Sequence, residues 1–260
     1  MNLIDTHCHI HDTDFGLAVE PVLAAARAAG VGRVITVGTD VANSRAAVEF
    51  AAVHDGVFAV IGIHPGEAPR GTLDELDEIV KNNQSEASKL LGLGDIGLDY
   101  HRGRDDRSAQ IKLFEAQLDL ATRYDLPVSF HVREAFDDFW AIFDSFPCRG
   151  TLHSFTDNVT NMEKALSRGL LISLNGILTF NRQADLDVVF DAVPMGRILL
   201  ETDAPFLAPH PHRGKINQPA YVADIAACLA QRRKMAVADI AEITTRNAEK
   251  LFSKKLLSNV

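Results

Sequence analysis

The chain has 260 residues, of which 47% are hydrophobic and 23% are charged. This length and composition favour one large folded domain, 1–260, and exclude a disordered or low-complexity chain. The formal net charge of −9 excludes a long basic groove for duplex nucleic acid, although it leaves room for a site that holds a nucleic-acid end. The three cysteines are far apart in the sequence, which excludes a disulfide framework and favours a reducing compartment.

No apolar run approaches the roughly 20 residues that span a bilayer, so no membrane association is expected. Asp5 and His7 interrupt the apolar start of the chain, which is therefore not typical of a secretory signal. We expect a cytoplasmic protein with no obligate protein partner.

Short apolar segments alternate with helical patterns along the whole chain. Strands are predicted at 3–10, 33–39, 57–64, 90–98, 127–132, 150–155, 170–177 and 198–202. Helical periodicity covers 18–30, 43–56, 72–80, 108–124, 134–146, 159–169, 184–193, 219–233 and 237–252. Gly30 and Gly56 end the first two helices, and Thr72 begins the third with a capping-box pattern.

The predicted strands are too apolar to be half-exposed, which favours a parallel sheet covered by helices, as in α/β proteins. Eight strand–helix cycles favour a TIM-type (β/α)8 barrel with an additional C-terminal helix. A doubly wound open sheet is the alternative. In a barrel of this type, the chemistry lies at the C-terminal ends of the strands.

Polar residues occur at these predicted strand ends, where a purely structural core would not concentrate imidazoles. Five of the ten histidines fall there, together with several acids: His7, His9, His64, Asp95, Asp99, His131, His153, Glu201 and Asp203. Because side chains alternate along a strand, Asp5, His7 and His9 share one face of the first strand.

Imidazole and carboxylate together form the ligand set of divalent transition metals. Four histidines and two aspartates exceed one tetrahedral site and suit two adjacent ions, with zinc, manganese or magnesium as candidates: His7, His9, Asp95, His131, His153 and Asp203. Asp203 is also a candidate catalytic base that takes a proton from the attacking water, with a helix N-cap as its structural alternative. Glu201 either orients a ligand histidine or pairs with a neighbouring cation.

Eight motifs in order resemble the TatD family of metal-dependent deoxyribonucleases, within the amidohydrolase-like barrels. They are IDTHCHI, GIHPGE, GLGDIGLDYH, LPVSFHVREA, LHSFTDN, GILTF, LLETDAP and RGKINQP, and they span essentially the whole chain. The resemblance implies a metal-dependent hydrolase of ester bonds that acts on DNA ends. It also implies two sets of metal ligands: His7, His9 and Asp203 for one ion, and His131 and His153 for the other.

The same resemblance bears on the remaining polar positions. It implies that His64 lies beside the metals and contacts the substrate phosphate as a catalytic residue. It also implies a basic residue in the RGK segment, which makes Lys215 a candidate phosphate-binding residue. The family places a glutamate that bridges both metals at the position of Asp95. Aspartate is one methylene shorter, so Asp95 either still bridges or binds a single ion.

Three further positions are interpreted from their local sequence. Arg133 directly follows the fifth strand, where it is either a phosphate ligand through a charge-assisted bond or a solvated surface charge. Asn217 is expected to cap the next helix. The second HxH pair, His210 and His212, lies between prolines in a loop and is interpreted as separate from the metal site.

Three functions remain open at this point. An exonuclease-type deoxyribonuclease that uses a metal-activated water is favoured. An amidohydrolase acting on a small amide, lactone or aminoacyl ester is the second, although related two-metal amidohydrolases often bridge through a modified lysine where this chain has Asp95. The third is a metal-binding protein of low activity, because of the shorter Asp95 side chain.

Overall fold

The computed structural model describes residues 2–68, 73–85, 87–102 and 106–252. In chain order the strands are β1 (Leu3–Cys8), β2 (Val31–Val37), β3 (Val57–Ile61), β4 (Leu90–Asp99), β5 (Val128–Arg133), β6 (Gly150–Leu152), β7 (Leu171–Leu174) and β8 (Ile198–Leu200). The helices are α1 (Val19–Ala28), α2 (Val41–Val53), α3 (Leu73–Asn82), α4 (Arg107–Arg123), α5 (Phe136–Phe143), α6 (Val159–Ser167), α7 (Ile177–Phe180), α8 (Ala184–Ala192), α9 (Val222–Arg233) and α10 (Val237–Phe252).

The chain divides into two compact units. The first takes in residues up to 36 and from 154 onward, and the second takes in 37–153. In the first unit, β1 pairs with β2 and β7 pairs with β8, all in parallel. A parallel bridge between Cys8 and Ala204 connects the end of β1 to the segment that follows β8.

The second unit contains β3, β4, β5 and β6, which pair in parallel in that order. Strands β3 and β4 are buried along their whole length, which explains why both read as nearly continuous apolar runs. Six aromatic side chains pack together where α4 and α5 cover β5: Phe114, Phe130, Phe136, Phe139, Trp140 and Phe143.

All eight predicted strands are present, although several end early for identifiable reasons. The eighth ends at Leu200 rather than Thr202, because the side chain of Asp5 accepts the Thr202 N–H at 2.8 Å. The seventh ends at Leu174, because Asn175 Oδ1 accepts the N–H of Ile177 at 3.0 Å and begins α7. Short polar side chains that bond the backbone in this way compete with strand pairing.

The predicted helices are also present, and the last one has the expected bounds, Val237–Phe252. The capping residue proposed for the third helix, Thr72, lies outside the described residues. No helix in the described part of the chain combines the length and the apolar character needed to cross a membrane.

One glycine has a direct role in positioning a candidate ligand. Gly97 pairs with His131 across β4 and β5 and has φ +148°, which favours glycine. A Cβ atom at this position would lie 2.0 Å from the carbonyl oxygen of His131. The absence of a side chain therefore allows β4 to approach the backbone that carries His131.

Candidate metal clusters

The first unit brings three predicted ligands together at the ends of β1 and β8. His7 Nε2 and His9 Nε2 lie 3.3 Å apart. Asp203 Oδ1 lies 3.6 Å from His9 Nε2 and 4.0 Å from His7 Nε2. His7 and His9 are buried, and Asp203 is half-buried. We refer to these three residues as the HxH cluster.

The donor atoms of the HxH cluster fit a divalent cation. Two imidazole nitrogens that face each other at 3.3 Å must share either a proton or a cation. Ligand atoms around a tetrahedral zinc ion with bonds of about 2.0–2.1 Å lie roughly 3.3 Å apart. The carboxylate oxygen supplies the negative charge that would offset part of the charge of the ion.

Two backbone features hold Asp203 toward the histidines. Its N–H donates to the carbonyl oxygen of His7 at 2.8 Å, and its φ is +57°. The preceding residue, Thr202, donates to Asp5 through both its N–H and its hydroxyl. Asp203 therefore lies in a turn beside β1 rather than at the start of a regular helix.

Asp5 performs this anchoring from a fully buried position. Burial raises the pKa of Asp5 to about 8, although the hydrogen bonds from Thr202 act in the opposite direction. Alternation along β1 predicts that Asp5 lies on the same strand face as His7 and His9. The sequence does not predict its hydrogen bond with Thr202, which is 197 positions away.

The second unit brings Asp95, His131 and His64 together. One ligand atom from each residue lies within 4.8 Å of the other two. His131 Nδ1 is 3.7 Å from Asp95 Oδ1, and Asp95 is buried. The His153 ring lies 6.1 Å from the His131 ring, at an interplanar angle of 30°. We refer to His64, Asp95 and His131 as the strand-end cluster.

Asp99 determines which nitrogen of His131 faces Asp95. His131 Nε2 lies 3.1 Å from Asp99 Oδ2 and donates to it, so the lone pair is on Nδ1. Burial alone would raise the pKa of Asp99, but bonds from His131 and from the Arg102 and His101 N–H groups hold it well below its usual value. An ionised carboxylate behind a ligand histidine is the arrangement that orients such ligands in metal sites.

His64 has the opposite arrangement. Its Nδ1 accepts the N–H of Gly66 at 3.0 Å, so the neutral ring carries its proton on Nε2. Its ring packs edge-on against that of His131, with centroids 4.5 Å apart. This tautomer suits a hydrogen-bond donor better than a metal ligand, and Pro65 starts the short turn that holds the ring.

Glu201 is fully buried and accepts the N–H of Ser154 at 2.7 Å. Ser154 directly follows His153, so Glu201 fixes the backbone next to a candidate ligand.

Asn217 does not cap the next helix as predicted, because Gln218 occupies the N-cap position. Asn217 is fully buried, and its Nδ2 donates to the carbonyl oxygens of Thr202 and Phe206, so its side chain anchors the β8–α9 loop from within.

The basic side chains differ in their freedom to meet a substrate. Arg133 and Lys215 are exposed. Arg213 lies over the Phe180 ring at 3.8 Å and donates to the Ala208 carbonyl oxygen, so its position is fixed by protein contacts.

His210 and His212, the second HxH pair of the sequence, make contacts outside the HxH cluster. His212 stacks on Tyr221, and the His210 N–H donates to the Thr179 hydroxyl.

Asp99 is a functional candidate whose role is evident only from the structure. Asp99 lies four residues after Asp95 in β4. Because alternate residues of a strand point to the same face, this even spacing indicates from the sequence that the two carboxylates share a face.

The family model described as TatD related DNase matches residues 4–253. The chain belongs to the TatD family. It is 34% identical to the uncharacterized metal-dependent hydrolase YabD of Bacillus subtilis, over 96% of this chain and 98% of YabD. It is also 34% identical to the uncharacterized metal-dependent hydrolase YcfH of Escherichia coli, over 97% of this chain and 96% of YcfH.

Among solved structures, the TatD homologue YjjV from Escherichia coli matches with a TM-score of 0.89 and 29% identity. The match covers 96% of this chain and 97% of YjjV. The predicted fold class, a TIM-type (β/α)8 barrel, is confirmed by this similarity and by the eight alternating strands. This TatD protein is therefore a metal-dependent hydrolase, and its histidine and aspartate clusters support the use of divalent metal.

Proposed function

We propose that this TatD protein is a deoxyribonuclease that hydrolyses phosphodiester bonds at DNA ends with two divalent ions. The observation that carries the proposal is the convergence of His7, His9 and Asp203 in a chain that matches the TatD DNase model along 4–253. Zinc, manganese and magnesium are the candidate ions, since imidazole favours zinc and the carboxylates also accept the other two.

The two ions have distinct ligand sets in this proposal. His7, His9 and Asp203 hold one ion, and Asp95, His131 and His153 hold the other. Bound ions would supply an activated water and neutralise charge on the phosphoryl oxygens. Asp203 takes the proton of the attacking water, because its carboxylate is half-buried and fixed by the backbone turn.

Three residues act on the phosphate group in this proposal. His64 donates from Nε2 to a phosphate oxygen, which agrees with the tautomer fixed by Gly66. Arg133 and Lys215 add positive charge, and their exposure leaves both available to a substrate. Glu201 and Asp99 are positioning residues, since each bonds to a ligand histidine or to its neighbouring backbone.

We also propose that the protein works in the cytoplasm. Cys8, Cys148 and Cys228 are all free thiols. Burial raises the pKa of Cys8 well above its usual value and that of Cys148 to about 12, so neither thiol is activated for oxidation. Unpaired cysteines of this kind are typical of a reducing compartment.

The test is end-labelled single-stranded DNA incubated with protein of measured metal content. We expect stepwise shortening of the strand, loss of activity after treatment with a chelator, and recovery when zinc, manganese or magnesium is added. His9→Ala removes a ligand and should abolish both activity and one bound ion. Val53→Ala, at a residue that is 77% exposed on α2, is the matched control and should be unchanged.

A second panel of a chromogenic ester, a lactone and an aminoacyl ester separates the alternatives. Cleavage of these compounds with no action on DNA would replace the proposal with an amidohydrolase function. Bound metal with no turnover on either panel would indicate a metal-binding protein of low activity.

A further inference from the structure

An exposed aromatic ring lies directly beside the HxH cluster. Phe206 follows the candidate ligand Asp203 by three residues and is 48% exposed. Its ring contacts that of His9 edge-on, with centroids 6.3 Å apart. An exposed ring in contact with a candidate ligand leaves its remaining surface available to a molecule bound at the cluster.

Phe206 is accompanied by a second ring from another part of the chain. Phe15 meets Phe206 edge-on, at 5.3 Å between centroids and an interplanar angle of 82°. Phe15 ends a short turn that is capped by Asp12, whose side chain accepts the Asp14 N–H at 2.9 Å. The two rings therefore form an aromatic corner whose second wall is held by a capped turn.

The loop that carries Phe206 is also held in place. The buried side chain of Asn217 donates to the Phe206 carbonyl oxygen, and the Asn217 N–H donates to the Pro205 carbonyl oxygen at 3.0 Å. The Phe206 N–H donates to the Asp203 carbonyl oxygen at 2.8 Å. The ring is thus presented at a fixed position relative to Asp203, as a preorganised binding group requires.

We propose that Phe206, supported by Phe15, stacks against a nucleobase of the nucleic-acid end that the HxH cluster hydrolyses. This proposal rests on the proposed deoxyribonuclease function and adds a base-binding subsite to it. An aromatic ring accepts any base through its π face, so the subsite binds without reading sequence. With a net charge of −9 the protein has little general attraction for DNA, and stacking supplies affinity that does not depend on charge.

The experiment compares two single-stranded oligonucleotides that differ only at their terminal nucleotides, which are either normal or abasic. The native protein should cleave the base-bearing end with a kcat/KM about 10-fold higher, since stacking on one aromatic side chain is worth about that factor. Phe206→Leu keeps an apolar side chain without the ring and should remove this preference. Phe206→Trp should retain it, and Val53→Ala should resemble the native protein.

A purely structural role for Phe206 predicts a different pattern. If the ring only supports His9, Phe206→Leu lowers kcat on both oligonucleotides by the same factor and reduces metal content, which would overturn the proposal. Equal rates of the native protein on both oligonucleotides would overturn the stacking subsite and leave the deoxyribonuclease function intact. Cleavage of neither would overturn the proposed function and the subsite together.

A binding measurement gives a second readout. The chain has one tryptophan, Trp140, so Phe206→Trp in a Trp140→Phe background places a single indole at the proposed subsite. Titration with a mononucleotide should quench its fluorescence, whereas deoxyribose 5-phosphate, which lacks the base, should not. Absence of quenching by the mononucleotide would contradict the proposal.

Discussion

Asp95 stands at the position where the resemblance to the TatD family implies a bridging glutamate. Its Oδ1 lies 3.7 Å from His131 Nδ1, somewhat farther than the roughly 3.3 Å between ligand atoms of a tetrahedral ion. A glutamate at this position would extend its carboxylate one methylene farther from β4 than Asp95 does.

We predict that Asp95→Glu raises kcat about 10-fold, which corresponds to about 1.4 kcal/mol of transition-state stabilisation. The added methylene extends the carboxylate toward the ion. Steady-state kinetics with measured metal content tests this, with Asp95→Asn as the variant that loses the charge and should fall below the native rate. An unchanged or lower rate for Asp95→Glu with full metal content would show that the short side chain is not limiting.

Asp99 shows how a residue acts through a neighbouring one. It receives the Nε2–H of His131 and leaves Nδ1 of that ring available on the Asp95 side. We predict that Asp99→Asn lowers affinity for the ion of the strand-end cluster about 10-fold, because outer carboxylates of metal-binding histidines typically contribute about 10–100-fold.

Metal titration by calorimetry is the measurement for Asp99→Asn. Asp119→Asn, which neutralises an exposed carboxylate paired with Arg123 on α4, is the control and should bind metal as the native protein does. Equal affinity in both variants would mean that the Asp99 carboxylate does not orient His131.

Among the structural elements, β5 connects the core to the site. Phe130 points into the aromatic cluster formed with α4 and α5, and its neighbour His131 points toward Asp95. Alternation along one strand thus places a core residue and a candidate ligand side by side. The packing of α5 against β5 consequently supports the position of the strand end.

We predict that Phe139→Ala lowers the free energy of unfolding by about 3–5 kcal/mol, since it leaves a cavity in a fully buried cluster. The Phe139 ring lies 5.2 Å from that of Phe130 and 4.8 Å from that of Trp140. Urea unfolding measures the change, and Val53→Ala should stay within about 0.5 kcal/mol of the native value. A loss below about 1 kcal/mol would indicate that the cluster repacks.

The elements were largely predictable from the sequence, because apolar periodicity reflects burial. Strands such as β3 and β4 are buried on both faces and read as apolar runs, and α10 shows a repeat of three and four residues over its whole length. Strand ends were less predictable, because they depend on side chains from distant positions. Asp5, for example, takes the Thr202 N–H and ends β8 early.

The candidate ligands were predictable for a similar reason, since each interrupts or directly follows an apolar strand. The residues that support them were not. The relevant hydrogen bonds join residues 32, 47 and 11 positions apart: Asp99 accepts from His131, Glu201 accepts from the Ser154 N–H, and Asn217 donates to the Phe206 carbonyl oxygen. No local pattern specifies which partner a buried polar side chain selects. The single-domain organisation over 1–260 stays a prediction.

The charge of the whole molecule bears on the proposed substrate. The chain has 35 acidic and 26 basic residues, so DNA binding in the proposed function depends on a few local cations instead of a broad positive surface. In the proposed function two of these, Arg133 and Lys215, contact phosphates. Each phosphate contact on single-stranded DNA contributes a slope of about −0.7 to the dependence of log affinity on log salt.

Two such contacts predict a slope of about −1.4 for the binding of single-stranded DNA, obtained as 2 × −0.7. Lys215→Ala should weaken the binding of single-stranded DNA of any sequence, and the slope should become shallower, at about −0.7. Lys250→Ala, at an exposed position in the last turn of α10, should leave it unchanged. Fluorescence anisotropy at constant divalent ion and increasing potassium chloride gives the slopes. A slope of −3 or steeper would require more than two cationic contacts and would contradict the assignment of phosphate binding to Arg133 and Lys215 alone.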